Sequence, residues 1–166
     1  EVPSNYSTFY FENLNKQFLE EKNIKIDNKI IHQSKLLKYF ENDYELKKVE
    51  DDLNKLLKSI KKNKDYKVST KDLIILESLV SDGVVISKKY KNMFQFDQSI
   101  VPTDIQLLLN NKEIGMVLLR LVEIIGEDDL ESLDVDTLYF MTSILNKLDL
   151  DSIRNKLLLE VLPLKI

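Results

Sequence analysis

The stretch LDVDTLYFMTSILNKLDLDSIRNKLLLEVLP, residues 133–163, decides how this chain is read. It holds two nearly identical hexapeptides, LDVDTL (133–138) and LDLDSI (148–153), whose paired aspartates have three competing meanings: metal ligands, a catalytic carboxylate pair, or helix starts. The residues around them favour helix starts. Asp134 suits a capping residue, which accepts hydrogen bonds from the free N–H groups of a first helical turn. Asp136 then adds negative charge near the positive end of the helix dipole. Leu133 and Leu138 stand at the two positions that clasp in a hydrophobic staple. Fifteen residues on, Leu148, Asp149, Asp151 and Ile153 repeat the order. It recurs at Ile26, Asp27 and Ile31, and at Val68, Ser69 and Leu73, where Asp72 follows Ser69 by three as in a capping box. A metal site has no use for the apolar pairs or for Ser69, whereas capping uses them all.

The sharper readings fail on spacing. GEDDLESLDVD (126–136) is rich in acid, but a helix–loop–helix calcium site needs carboxylates at alternate positions, a glycine at the bend and a closing glutamate. Counted from Asp134, Leu138 and Phe140 fall on ligand positions and no glycine follows. A catalytic pair needs two carboxyls in contrasting environments, and these aspartates are expected at solvent-facing helix starts.

Outward from this stretch the chain reads as further helices. KEIGMVLLRLVEIIG (112–126) is one, closed by Gly126, and PTDIQLLLNN (102–111) is a shorter one before it. STKDLIILESLVSDG (69–83) is apolar almost all round, as a central buried helix is, and Gly83 ends it. Between them, residues 84–102 read as a loop with a short helix at SKKYKNMF. In YELKKVEDDLNKLLKSIKKNK, Leu46, Val49, Leu53, Leu56 and Ile60 step by three and four, a heptad seam of about two heptads. A helix is expected over residues 27–42, and Tyr10, Leu14 and Phe18 give another one apolar face. The helix ends at Gly83 and Gly126 fall 43 residues apart, a two-helix repeat period, although the residues between do not align.

Only three glycines and three prolines interrupt 166 residues, in keeping with a helical chain. The fold class expected is all-α: an N-terminal helical arm or antiparallel hairpin (1–65) carrying the heptad seam, then a compact helical domain (66–166) of short stacked hairpins, α-solenoid-like or an orthogonal bundle. Cysteine is absent, which excludes disulfides, thiolate metal sites and cysteine nucleophiles. No apolar run reaches the roughly 20 residues that span a bilayer. The chain opens on Glu1, and EVPSN suits the start of a mature exported protein, so export is the expectation for its compartment.

His32 is the only histidine, and the three glycines stand singly, so neither a histidine cluster nor a phosphate-binding loop is formed. No catalytic residue, cofactor or metal site is expected. Charge is uneven: residues 1–54 hold 8 basic against 11 acidic side chains, residues 55–91 hold 10 against 4, and residues 92–166 hold 6 against 13. The candidate partner-binding residues are the N-terminal aromatics Tyr6, Phe9, Tyr10 and Phe11 and the lysines Lys58, Lys61 and Lys62.

The function expected is a non-catalytic protein–protein interaction or scaffold, with self-association through the 46–60 seam as one route. The alternatives are a helical protein, or enzyme, with a small-ligand pocket between helices, and a lysine-patch binder of nucleic acid or membrane surface. Nucleic acid is the weaker partner class, because the chain is acidic overall and has two arginines.

Overall fold

A computed structural model describes residues 25–41, 45–94, 101–126 and 129–163. Tyr6, Phe9, Tyr10, Phe11 and the helix expected around Leu14 and Phe18 lie outside the described residues. Among the described residues the chain is all-α, without strands: α1 (Leu37–Phe40), α2 (Leu46–Lys62), α3 (Thr70–Ser81), α4 (Lys88–Lys91), α5 (Thr103–Asn110), α6 (Ile114–Ile125), α7 (Val135–Lys147) and α8 (Asp151–Val161), with 3-10 turns at Ile31–Gln33 and Leu130–Ser132.

The core is built around α3. Ile74, Ile75, Leu76 and Leu79 are fully buried on it, so it is enclosed on most sides, as its all-round apolar sequence requires. Its main partner is α7, well removed along the chain, and α8 packs on both α7 and α1. The heptad seam of α2 turns inward: Val49, Leu53, Leu56 and Ile60 belong to the same core cluster as α3, α7 and α8. Asp52 shares that buried face and is held by Lys35 at 2.7 Å and Lys55 at 3.6 Å.

Three helices end in the same backbone motif. After α3, the Val84 N–H reaches the Leu79 carbonyl (2.9 Å) and the Gly83 N–H that of Val80 (3.0 Å), with Gly83 at φ 93°. This is a Schellman closure, in which a residue in the left-handed region turns the chain back over the last turn. After α5 the motif repeats with Lys112 at φ 58°, and after α7 with Asp149 at φ 53°.

That last closure corrects the reading of LDLDSI. Asp149 does not cap α8; it ends α7, its N–H bonding the Asn146 carbonyl while the Leu150 N–H bonds that of Leu145. α8 starts at Leu150 with no side-chain cap, and Asp151 in its first turn faces Arg154. LDVDTL is as expected: Asp134 accepts from the Asp136 N–H (3.0 Å), the Thr137 N–H (2.9 Å) and the Thr137 hydroxyl (2.6 Å).

A second correction concerns residues 27–42. The described part of this stretch, residues 27–41, forms no continuous helix but a turn, a 3-10 turn and the single helical turn of α1. Asp27 accepts from the Lys29 N–H (2.9 Å), and its own N–H donates to the Gln33 carbonyl (2.8 Å), so its carboxylate caps a turn.

Candidate interaction surface

The α5–α6 hairpin is where apolar sequence and burial part company. Pro102 precedes α5, three residues join it to α6, and Gly126 (φ 63°, ψ −131°) closes α6 in a conformation open to glycine alone. Apolar residues point to nearly every side of α6, yet the fold covers one. Val117 and Leu121 are buried, Leu118 and Ile125 half-buried, and the rest faces water: Val122 is 60% exposed, Leu119 58%, Met116 48%, with Ile114 and Ile124 also exposed. Leu107 on α5 is 57% exposed. Met116, Leu119 and Val122 step by three and form one exposed apolar side of α6, whereas Ile124, two residues after Val122, points to the opposite side. The charges at its edge are internally matched, Arg120 meeting Glu123 at 2.7 Å and Asp104 at 3.7 Å.

The sequence-predicted lysines lie elsewhere. Lys58, Lys61 and Lys62 are exposed at the C-terminal end of α2, where cations complement the helix dipole. The fold brings α4 to the same end. Lys61 Nζ donates to the Lys89 carbonyl (3.2 Å) and stands 5.8 Å from the Tyr90 ring centroid, and Lys89 Nζ lies 4.7 Å from it. Lys61 of α2 and Lys89 of α4 thus meet at one buried tyrosine.

Two buried polar clusters escaped the sequence reading. In the first, Asp72 is 1% exposed and accepts four hydrogen bonds: from the His32 ring Nδ1 (2.7 Å), the His32 N–H (3.0 Å), the Tyr66 hydroxyl (2.9 Å) and the Ser69 N–H (2.9 Å). Burial pushes its carboxyl up, but these bonds outweigh it and hold Asp72 below the usual carboxylate range. The same burial, helped by Asp72 and opposed by the Ile31 N–H bond, pushes the Tyr66 phenol up. Histidine, aspartate and serine side by side suggest a nucleophile, but the geometry is that of a clasp. Ser69 Oγ accepts the Asp72 N–H (3.2 Å) as half of a capping box, and it lies 3.5 Å from Nδ1, the nitrogen already engaged by Asp72. A hydrolytic triad presents the opposite ring nitrogen to its serine.

In the second cluster Arg154 is fully buried, and every guanidinium nitrogen is bonded. It grips Asp82 with two hydrogen bonds (2.9 and 2.7 Å), Asn155 with two more (3.0 and 2.8 Å) and Asn146 with one (2.9 Å), and meets Asp151 at 3.0 Å. The ring of Phe40 lies beneath it, 5.9 Å from the guanidinium carbon. Tyr39, partly buried beside Asp82, has its phenol pushed up to about 12 by burial first and by that carboxylate second. One side chain therefore ties α1, the end of α3, α7 and α8 together. A signal existed: Arg154 sits three and four residues before Leu157 and Leu158, on the buried stripe of α8.

Among the described residues, no group of three or more histidine, aspartate or glutamate side chains is placed to hold a metal ion, and no helix is long and apolar enough to cross a membrane. No protein-family model matches the sequence, and no curated protein or solved structure matches it either.

Proposed function

We propose that this chain is a non-catalytic interaction or assembly protein and that the exposed apolar side of the α5–α6 hairpin is its binding face. The observation that carries this reading is the exposure of Leu119 and Val122 on a helix that the fold covers on one side. Exposed apolar side chains at neighbouring positions, bordered by charge, support reading this side as a protein-binding surface. The two buried polar clusters act as joints between elements, and their groups are occupied with one another.

Purification of the full chain at native expression, beside a Leu119→Glu/Val122→Glu variant, tests this. One stoichiometric protein partner, a second copy included, retained by the parent and lost by the folded variant, is the expected result. A monomer that retains no protein in either form and is stabilised by a metabolite overturns it.

A further inference from the structure

We propose that the lysines at the C-terminal end of α2 and on α4 form a second binding surface, whose partner is an anionic membrane. The proposal goes beyond the α5–α6 reading and rests on other residues. Residues 55–91 hold ten lysines and four carboxylates. The fold engages three of those carboxylates internally: Asp72 is bonded to His32, Tyr66 and Ser69, Glu77 to Tyr139 and Asp82 to Arg154. Of the four, only Asp65 is exposed. Lys58, Lys61, Lys62, Lys88, Lys89 and Lys91 are all exposed, and among the described residues no carboxylate pairs with them. Lys61 and Lys62 follow Lys58 by three and four, so like charges share one side of α2, an unfavourable arrangement on an isolated helix. The helix dipole accounts for cations in the last turn of α2. It does not account for α4, a four-residue helix with lysine at three positions, nor for the meeting of Lys61 and Lys89 at the Tyr90 ring. A negatively charged surface relieves that repulsion.

The chemistry of the patch selects its partner. Lysine is a point charge on a flexible stem and is depleted in protein–protein interfaces, which favour arginine and aromatic anchors. Both arginines of the chain are engaged elsewhere, Arg120 with Glu123 and Asp104, and Arg154 with Asp82. Tyr90 is buried, so it offers no ring on which the bases of single-stranded nucleic acid could stack. A cluster of roughly four to eight lysines on an amphipathic helix suits instead the diffuse negative charge of anionic lipid headgroups. In the segment leading into α4, Val84 and Ile86 are buried and Val85 between them is 63% exposed. It places an apolar side chain three residues before Lys88, as a surface that dips into a headgroup layer requires. The flanking stretches are both acidic, with 8 basic side chains against 11 acidic in residues 1–54 and 6 against 13 in residues 92–166. Attraction to an anionic surface therefore comes from this basic stretch and fixes which side of the molecule faces it.

Sedimentation of the full chain with lipid vesicles tests the proposal. Binding is expected to vesicles of phosphatidylcholine containing about one-third phosphatidylserine, and not to phosphatidylcholine alone. It should weaken as salt is raised from about 0.1 to about 0.5 M. Each lysine near such a surface strengthens binding about five-fold, so Lys58→Gln/Lys62→Gln/Lys89→Gln should lower it about 100-fold. Lys88→Gln/Lys91→Gln, confined to α4, should lower it about 20-fold. Lys29→Gln/Lys38→Gln/Lys156→Gln removes the same charge from exposed positions elsewhere and should leave binding within about two-fold of the parent. A parent chain that ignores phosphatidylserine overturns the proposal. So does equal binding to phosphatidylcholine alone, or a loss no greater at the patch than in the control. Patch-dependent binding of a single-stranded oligonucleotide or an acidic peptide, with none to vesicles, overturns the membrane as the partner.

Discussion

Asp134 and Asp149 occupy the same place in two matching hexapeptides and do opposite things, because the backbone decides which free groups each can serve. Asp134 has extended φ and ψ (−66°, 157°) and offers its carboxylate to a helix start; Asp149 lies in the left-handed region and closes a helix end. Asp134→Ala should lower the melting temperature and Asp134→Asn should leave it nearly unchanged, since asparagine caps as well. Asp149→Gly, by contrast, should stabilise the fold by about 0.5 kcal/mol, and Lys112→Gly by about 1 kcal/mol, read from denaturant midpoints, because glycine enters the left-handed region without strain. Asp72 adds a dependence on pH. Its carboxyl is held below the usual range, so its contribution is complete above about pH 4 and is lost as pH falls through the lowered value. Stability measured by urea titration should drop on acidification over that window, and Asp72→Asn should flatten the drop. The capping grammar was legible in sequence at Ser69 and Asp134. It misled at Asp149 because a left-handed aspartate and a capping aspartate leave the same local pattern.

Among the elements, the strongly periodic helices are the ones whose place sequence predicts. The α2 seam, the all-apolar α3 and the α7–α8 pair follow from spacing and breakers, since a helix face is written in residues three and four apart. Spacing predicts one helix over residues 27–42, but residues 27–41 are held instead by partners distant in sequence: the Ile31 N–H donates to the Tyr66 hydroxyl (3.2 Å) and His32 binds Asp72, 35 and 40 residues away. No local spacing carries such pairings. Arg154 shows the energetic consequence of a joint between elements. Removing it leaves Asp82 buried without its cation, so Arg154→Ala should cost about 3–5 kcal/mol. Arg154→Lys should not restore that loss, because a single ammonium cannot reproduce the two-pronged grip on Asp82 together with the bonds to Asn146 and Asn155. Chemical denaturation of the two variants checks both statements.

For the molecule as a whole, one buried core joins residues from Ile31 to Leu162, and α5–α6 packs against it while leaving much of its own apolar surface in water. Sequence showed that α6 is a helix but not which of its sides the fold would cover, since both sides are apolar; that difference appears only in the folded chain. Absence of cysteine makes a direct measurement possible, because a single introduced thiol is unique. In Leu119→Cys the thiol sits on the exposed side of α6, and coupling a bulky maleimide to it should abolish retention of the protein partner. Lys156→Cys, exposed on α8 and coupled in the same way, serves as the control and should retain the partner. Loss of the partner on coupling at position 119 alone is the predicted result. Partner retention that survives coupling at both positions would contradict the proposal that this side of α6 is the binding face.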